Sequence, residues 1–220
     1  AEALKPWYRQ LCKRPCFHNE YLEAFNRPNV TLVDTRGRGV DCITATGVRV
    51  QDREYELDCL IYASGFEVGT DYSRRADIQL LGRGGNSLTQ KWAGGVRTLH
   101  GMHINGFPNC FIMSNAQAGF TANYPHLLDE QAKHIAYIIK TANAKGYSRV
   151  EVTEQGEAGW VQQCIDRARD TGDFLENCTP GYYNNEGRTG DRSAQNGFYG
   201  GGSIEFFRLL GEWRAAGGME

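Results

Sequence analysis

Two cysteines four positions apart, Cys12 and Cys16, enclose a basic pair, Lys13-Arg14, and a histidine follows at position 18. Such residues support three chemistries. Two thiolates and an imidazole can ligate a metal, a basic pair can neutralise phosphate, and a guanidinium can hold an anion at a reaction centre. No second cysteine pair follows at zinc-finger spacing, so the ligand count falls short for a metal. A formal net charge of -2 and a pI near 6.3 argue against a surface built to track nucleic acid. On the residues alone, Lys13-Arg14 is either a solvated basic turn or a cation delivered to a site.

Two further segments admit a ligand. "YASGF" (62–66) puts small residues directly behind an apolar run, where a ligand or another backbone can approach; the same pattern describes a tight turn leaving a strand. "SNAQAGFTANYP" (114–125) joins a strand candidate to the start of a long helix, whose N-terminal end favours an electron-rich group. An ordinary strand-to-helix loop reads the same way. The chain holds no G-x-G-x-x-G dinucleotide fingerprint, no G-x-S-x-G nucleophile elbow and no H-E-x-x-H pair. His134 falls inside the long helix and reads as a packing or surface residue rather than a ligand.

The elements that must position these residues follow from periodicity. "NVTLVDT", "YELDCLIYASGF" and "FPNCFIMSN" read as strands, the second with the continuous apolar run "CLIYA" of a strand buried on both faces in a parallel sheet. "GVRVQDREYELD" reads as a hairpin turning at "QDRE", and Ser87 as the cap of a short helix. "NYPHLLDEQAKHIAYIIKTANAKG" carries apolar residues at 127, 128, 132, 135, 136, 138 and 139, which is helical spacing with a glycine stop. Two more helices are expected over "EQGEAGWVQQCIDRARDTG" and "SIEFFRLLGEWRAAGG". The stretch between them, "NCTPGYYNNEGRTGDRSAQNGFYGGG" (177–202), has no period and is longer than an ordinary connection.

With 220 residues, 40% of them hydrophobic, the chain can bury a core. It lacks an apolar run long enough to span a bilayer, and its first residues lack the apolar core of a signal peptide, so the expectation is a cytoplasmic protein. Seven scattered cysteines, an odd number, read as reduced thiols.

Taken in order, "CKRPCFHNEYLEAFNRPNVTLVD", "LDCLIYASGF", "IQLLGRGGNSLTQKW" and "NGFPNCFIMSNAQAGFTANYP" resemble the C-terminal portion of a Baeyer-Villiger monooxygenase, a class B flavoprotein monooxygenase that uses FAD and NADPH. The resemblance is specific from about Cys12 to Gly146 and looser beyond. It implies an α/β fold, the C-terminal part of an enzyme with two Rossmann-like dinucleotide domains, lacking the N-terminal halves that carry both glycine fingerprints. Residues 1–57 would close the NADPH-binding domain and 58–220 would form the C-terminal part of the FAD-binding domain, with a mobile lid at about 177–202. The implied reaction is oxidation of a ketone to an ester or lactone by NADPH and O2 through a C4a-peroxyflavin, with the missing N-terminal half of the enzyme as a partner. N- or S-oxidation, or a non-catalytic role in binding or assembly, are the alternatives.

The same resemblance assigns residues. Arg14 takes the position of the family's arginine that holds the flavin peroxide as an anion, and Lys13 becomes a neighbour of NADP. Ala63, Ser64, Gly65 and Phe66 match the family's A-T-G-F stretch at the join of the two nucleotide domains, with serine in place of threonine. Asn123 and Tyr124 would bring the helix N-terminus to the flavin, and Phe120 and Tyr124 would line the substrate pocket. Aligning Gly181 with the lid's glycine puts Cys178 where the family carries a tryptophan, with Tyr182 or Tyr183 as its replacement at the cofactor. No metal is implied.

Overall fold

The computed structural model describes residues 2–6, 8–65, 77–169, 173–181, 183–187 and 192–219. Phe66 and Tyr182 lie outside the described residues. The expected hairpin is present and gains a third strand: β1 (Cys42–Ile43), β2 (Gly47–Val50) and β3 (Arg53–Glu56) form an antiparallel sheet in that order. Val48 faces Tyr55 and Val50 faces Arg53 across the turn at Gln51 and Asp52. Glu54 accepts hydrogen bonds from the hydroxyls of Thr44 (2.6 Å) and Thr46 (2.9 Å), which pins the register from the far strand.

Helices carry the rest. α1 (Tyr21–Ala24) is a single turn, and α2 (Leu88–Trp92) starts at Ser87 in a reciprocal cap with Gln90. The long α3 (Tyr124–Ala144) starts at Asn123, whose side chain accepts from the His126 amide, with Pro125 in its first turn. Gly146, at φ 71, lets the chain leave it. α4 (Glu154–Asp166) is capped by Thr153, α5 (Ser193–Asn196) is one turn, and α6 (Gly202–Ala215) packs against α3. Leu127, Trp160, Cys164, Tyr199, Phe206 and Leu210 meet in one core. Leu88, Ile104, Phe107 and Ile112 form a second. Between them the buried carboxylate of Glu157 accepts from Lys91 (3.1 Å), Arg97 (3.2 Å) and the Asn105 amide (2.9 Å). Three donors satisfy a charge that burial alone would make costly.

The three strands expected from apolar runs, one of them in a parallel sheet, do not form among the described residues. Residues 29–35 and 59–63 are irregular, and 108–113 contributes only a bridge between Phe111 and His103. The reason is pairing: an extended apolar run becomes a strand only against a neighbour, and the described residues supply none for these. Ile61 and Tyr62, which the pattern buries on both faces, are 80% and 74% exposed.

Candidate active site

The segment that carries Arg14 holds little structure of its own. Among the described residues up to 47, Cys12 alone is buried. Leu11 adopts a left-handed backbone at φ 69, and the chain then continues without regular structure to residue 18. Three of its residues reach residues 173–181. Cys12 forms a disulfide with Cys178, across 166 positions. The Lys13 ammonium donates to the Pro180 carbonyl at 2.5 Å. Arg9 lies 3.7 Å from the Asp173 carboxylate and stacks on the Phe174 ring at 4.9 Å. The disulfide corrects the reading of all seven cysteines as reduced thiols, because folding brings Cys12 and Cys178 within bonding range while the other five stay free. Cys178 has no thiol left to react.

Arg14 itself is exposed and has no ion-pair partner among the described residues. Lys13 is half-buried and points at the opposite segment, where a Cβ on Gly181 would stand 2.8 Å from the Lys13 nitrogen and displace the end of that flexible side chain. Asn184 organises that segment. Its amide nitrogen donates to the carbonyls of Leu175, Cys178 and Thr179, and its oxygen accepts from the amides of Gly181 and Gly187. Tyr183 sits beside it, half-buried and with a partner of its own.

A second group gathers at the start of α3. Gln117, fully buried, accepts from the Thr98 hydroxyl (2.6 Å) and donates to the carbonyls of Val96 (2.8 Å) and Gln195 (2.9 Å). Its own carbonyl accepts from the Trp160 indole, and its amide donates to Gly197. Gly119 bridges to Tyr199, and Phe120 packs on Phe198 with ring centroids 4.5 Å apart. The loop carrying Phe120, Asn123 and Tyr124 is thereby bound to residues 195–199, the far end of the long connection. Phe120 and Tyr124 remain partly exposed, and Tyr124 has a partner of its own.

The residues singled out in the sequence thus fall into two groups, Lys13, Arg14, Cys178 and Tyr183 in one and Phe120, Asn123 and Tyr124 in the other. The stretch 173–199 begins in the first and ends in the second. Ala63, Ser64 and Gly65 join neither through a hydrogen bond among the described residues; they are exposed, and Gly65 turns at φ 93. Gln117 and Asn184 were not legible as site residues, since neither has a motif. A buried amide in a glycine-rich loop is the one signal they offered.

Among the described residues, the Arg14 guanidinium has no ion-pair partner, and the 21-residue helix holds no acidic residue in its first turn. Each suits an electron-rich group such as a flavin edge or a phosphate, so these residues fit FAD and NADP. The clefts along Arg83, Gln90, Lys91, Phe107 and Leu80 involve none of them.

No family model matches the chain. It is 52% identical over 221 aligned positions to pentalenolactone D synthase of Streptomyces arenae and 47% identical over 218 to a Baeyer-Villiger monooxygenase of Stachybotrys chlorohalonatus. These alignments take in 100% and 99% of the chain, but 38% and 35% of the relatives. Among solved structures, the polycyclic ketone monooxygenase of Thermothelomyces thermophila superposes with a TM-score of 0.85 at 40% identity, over 97% of this chain and 35% of that one. A closed cyclohexanone monooxygenase superposes with a TM-score of 0.72 at 29% identity, over 93% of this chain and 38% of that one. The chain spans little more than a third of the length of each, and over that span it is similar to Baeyer-Villiger monooxygenases, which are class B flavoprotein monooxygenases.

Proposed function

We propose that this chain serves, within a full-length enzyme, the flavin- and NADPH-dependent oxidation of a ketone: ketone, O2, NADPH and a proton give an ester or lactone, NADP and water. The observation that carries the reading is Arg14, an exposed guanidinium without a carboxylate partner among the described residues, in a K-R-P triplet of a chain 52% identical to a pentalenolactone D synthase. Bound FAD, reduced by NADPH, would supply the activation of dioxygen. The protein's part is electrostatic. A guanidinium, charged at any working pH, keeps a proton off the attacking oxygen and stabilises negative charge as it passes to the ketone carbonyl.

Other assignments rest on the same reading. Asn123 and Tyr124 present the positive end of α3 to the flavin, and Phe120 and Tyr124 give the ketone an apolar wall. Lys13, Tyr183 and the segment held by Cys178 stand toward NADP, with Lys13 here engaged by the Pro180 carbonyl. Ala63, Ser64 and Gly65 mark the join between an NADPH-binding part (1–57) and an FAD-binding part (58–220), with 177–202 as the lid. No helix among the described residues is long and apolar enough to cross a membrane, and the proposed compartment is the cytoplasm.

The test is Arg14→Ala in the full-length enzyme, with NADPH consumption and ester measured together. Ester should fall at least a hundredfold, the scale of losing one transition-state donor, while NADPH oxidation persists. Arg14→Lys should restore only part of it, because an ammonium lacks the planar fork. Ester formation near the wild-type rate in Arg14→Ala would refute the assignment.

A further inference from the structure

The ties between the Arg14 segment and residues 173–181 do not spread over the fold. Leu11 departs from the ordinary backbone regions at φ 69, a conformation that a side chain rarely adopts unless its surroundings enforce it. That turn sends Cys12 inward, where it is 2% exposed and bonded to Cys178, itself 7% exposed. Lys13 follows at once with its bond to Pro180, and Arg14 is the next residue. The guanidinium is therefore carried on a backbone whose last fixed points are a covalent bond and an ammonium-carbonyl contact, both to the same short stretch. That stretch, wrapped around Asn184, is the first part of the long connection. The other five cysteines are free.

We propose that the Cys12–Cys178 disulfide is a positioning device for Arg14, and that its oxidation state controls how much of the NADPH consumed ends as oxygenated product. This rests on the activity proposed above. Closed, the bond holds the Arg14 segment against 173–181. Opened, it leaves the Lys13 and Arg9 contacts, which are exposed or half-buried, and the partner of Tyr8 to hold a coil in which, among the described residues, no other side chain is buried. Hydride transfer depends on how the cofactors lie, whereas oxygen insertion depends on where the guanidinium lies, so the two should separate.

The opening step is thiol-disulfide exchange. A thiolate of a small dithiol such as dithiothreitol attacks one sulfur of the pair, the Cys12–Cys178 bond breaks, and the departing sulfur takes a proton. The reductant's second thiol then displaces the remaining protein sulfur and leaves as a cyclic disulfide. Two electrons and two protons pass to the protein, which ends with two thiols. Burial of both sulfurs slows the attack and requires a small reductant or local opening.

Alkylation of the unfolded chain should label five cysteines before reduction and seven after. Hydrogen exchange on the full-length enzyme should then show protection falling about tenfold at 8–18 and 173–181 on reduction, with α3 and α6 unchanged. Cys12→Ser, and wild type held in dithiothreitol, should give at least fivefold less ester per NADPH, with NADPH oxidation within twofold. Reoxidation should restore the wild type and not the variant. Seven labels without reductant, equal exchange in both states, or ester per NADPH indifferent to reduction would each overturn the proposal. If the oxidised enzyme makes no ester from any ketone, the activity reading falls instead; an exchange change confined to the two segments would still support the tether.

Discussion

Gln117 takes a left-handed backbone at φ 54 with its side chain fully buried, in a loop where an alanine stands on either side. An ordinary residue tolerates that backbone only when its contacts compensate, and here three side-chain hydrogen bonds do so. Alanine at this position would keep the strained backbone and leave the Gln195 carbonyl and the Thr98 hydroxyl each short of a partner. The Val96 carbonyl would still accept from the Gln195 side chain, which limits the loss. At about 1 kcal/mol per net hydrogen bond, Gln117→Ala should cost roughly 2–3 kcal/mol. Urea unfolding of the chain, followed by circular dichroism, measures it. A loss below about 0.5 kcal/mol would mean that loop and connection are held by other contacts. The sequence could not nominate Gln117, because its role comes from three segments far apart in the chain that meet only after folding. Arg14 was legible for the opposite reason: a guanidinium beside proline in an ordered set of motifs keeps its identity whatever packs around it.

At the scale of elements, α3 shows what periodicity reveals and what it does not. The apolar spacing locates the helix and its glycine exit, yet the positions it buries are Leu127, Gln131, His134, Ile138 and Ala142, while Ile139 is 45% exposed. Two polar residues occupy the inner face, and a hydrophobic pattern has no way to choose them. His134 meets His100 at 5.4 Å, His103 at 5.7 Å and Trp213 at 4.9 Å between ring centroids, and both its ring nitrogens lack a partner among the described residues. Burial, reinforced by the other two histidines and Arg214, pushes His134 down to about 2; burial likewise takes His100 to about 3 and His103 to about 4. All three are neutral in the fold and protonate near 6.5 when unfolded. Their contribution is therefore complete above pH 6.5 and is lost as pH falls toward 4, at about 1.4 kcal/mol per unit per histidine. The chain should unfold in mild acid within that window. His134→Leu, which removes one of the three, should move the acid midpoint lower; a midpoint unmoved by the substitution would show that carboxylates set the acid limit. Strands fared worse than helices, and for a physical reason. A helix closes its hydrogen bonds within itself, whereas the apolar run at 59–63 waits for neighbours.

For the whole molecule, the disulfide joining residues 12 and 178 was beyond a reading of spacing, since seven cysteines give no unique pairing. The chain also spans little more than a third of its relatives, and it exposes a run of apolar residues. Leu60, Ile61 and Tyr62 stand exposed in succession, with Leu57 just before them. Such a run is the pattern of a strand buried on both faces, and among the described residues it presents apolar side chains together with backbone groups that pair with no strand. Contiguous apolar surface with a free edge pairs with whatever offers the same, and the nearest source is another copy. The 24.6 kDa chain on its own should therefore self-associate at micromolar concentration. Light scattering should give a mass above the monomer that falls on dilution. A lysine at position 61, Ile61→Lys, places a charge in the middle of the run and should shift the distribution toward monomer without altering far-UV circular dichroism, because Ile61 touches neither core. A strictly monomeric wild type would show that the 57–62 run is satisfied within the chain.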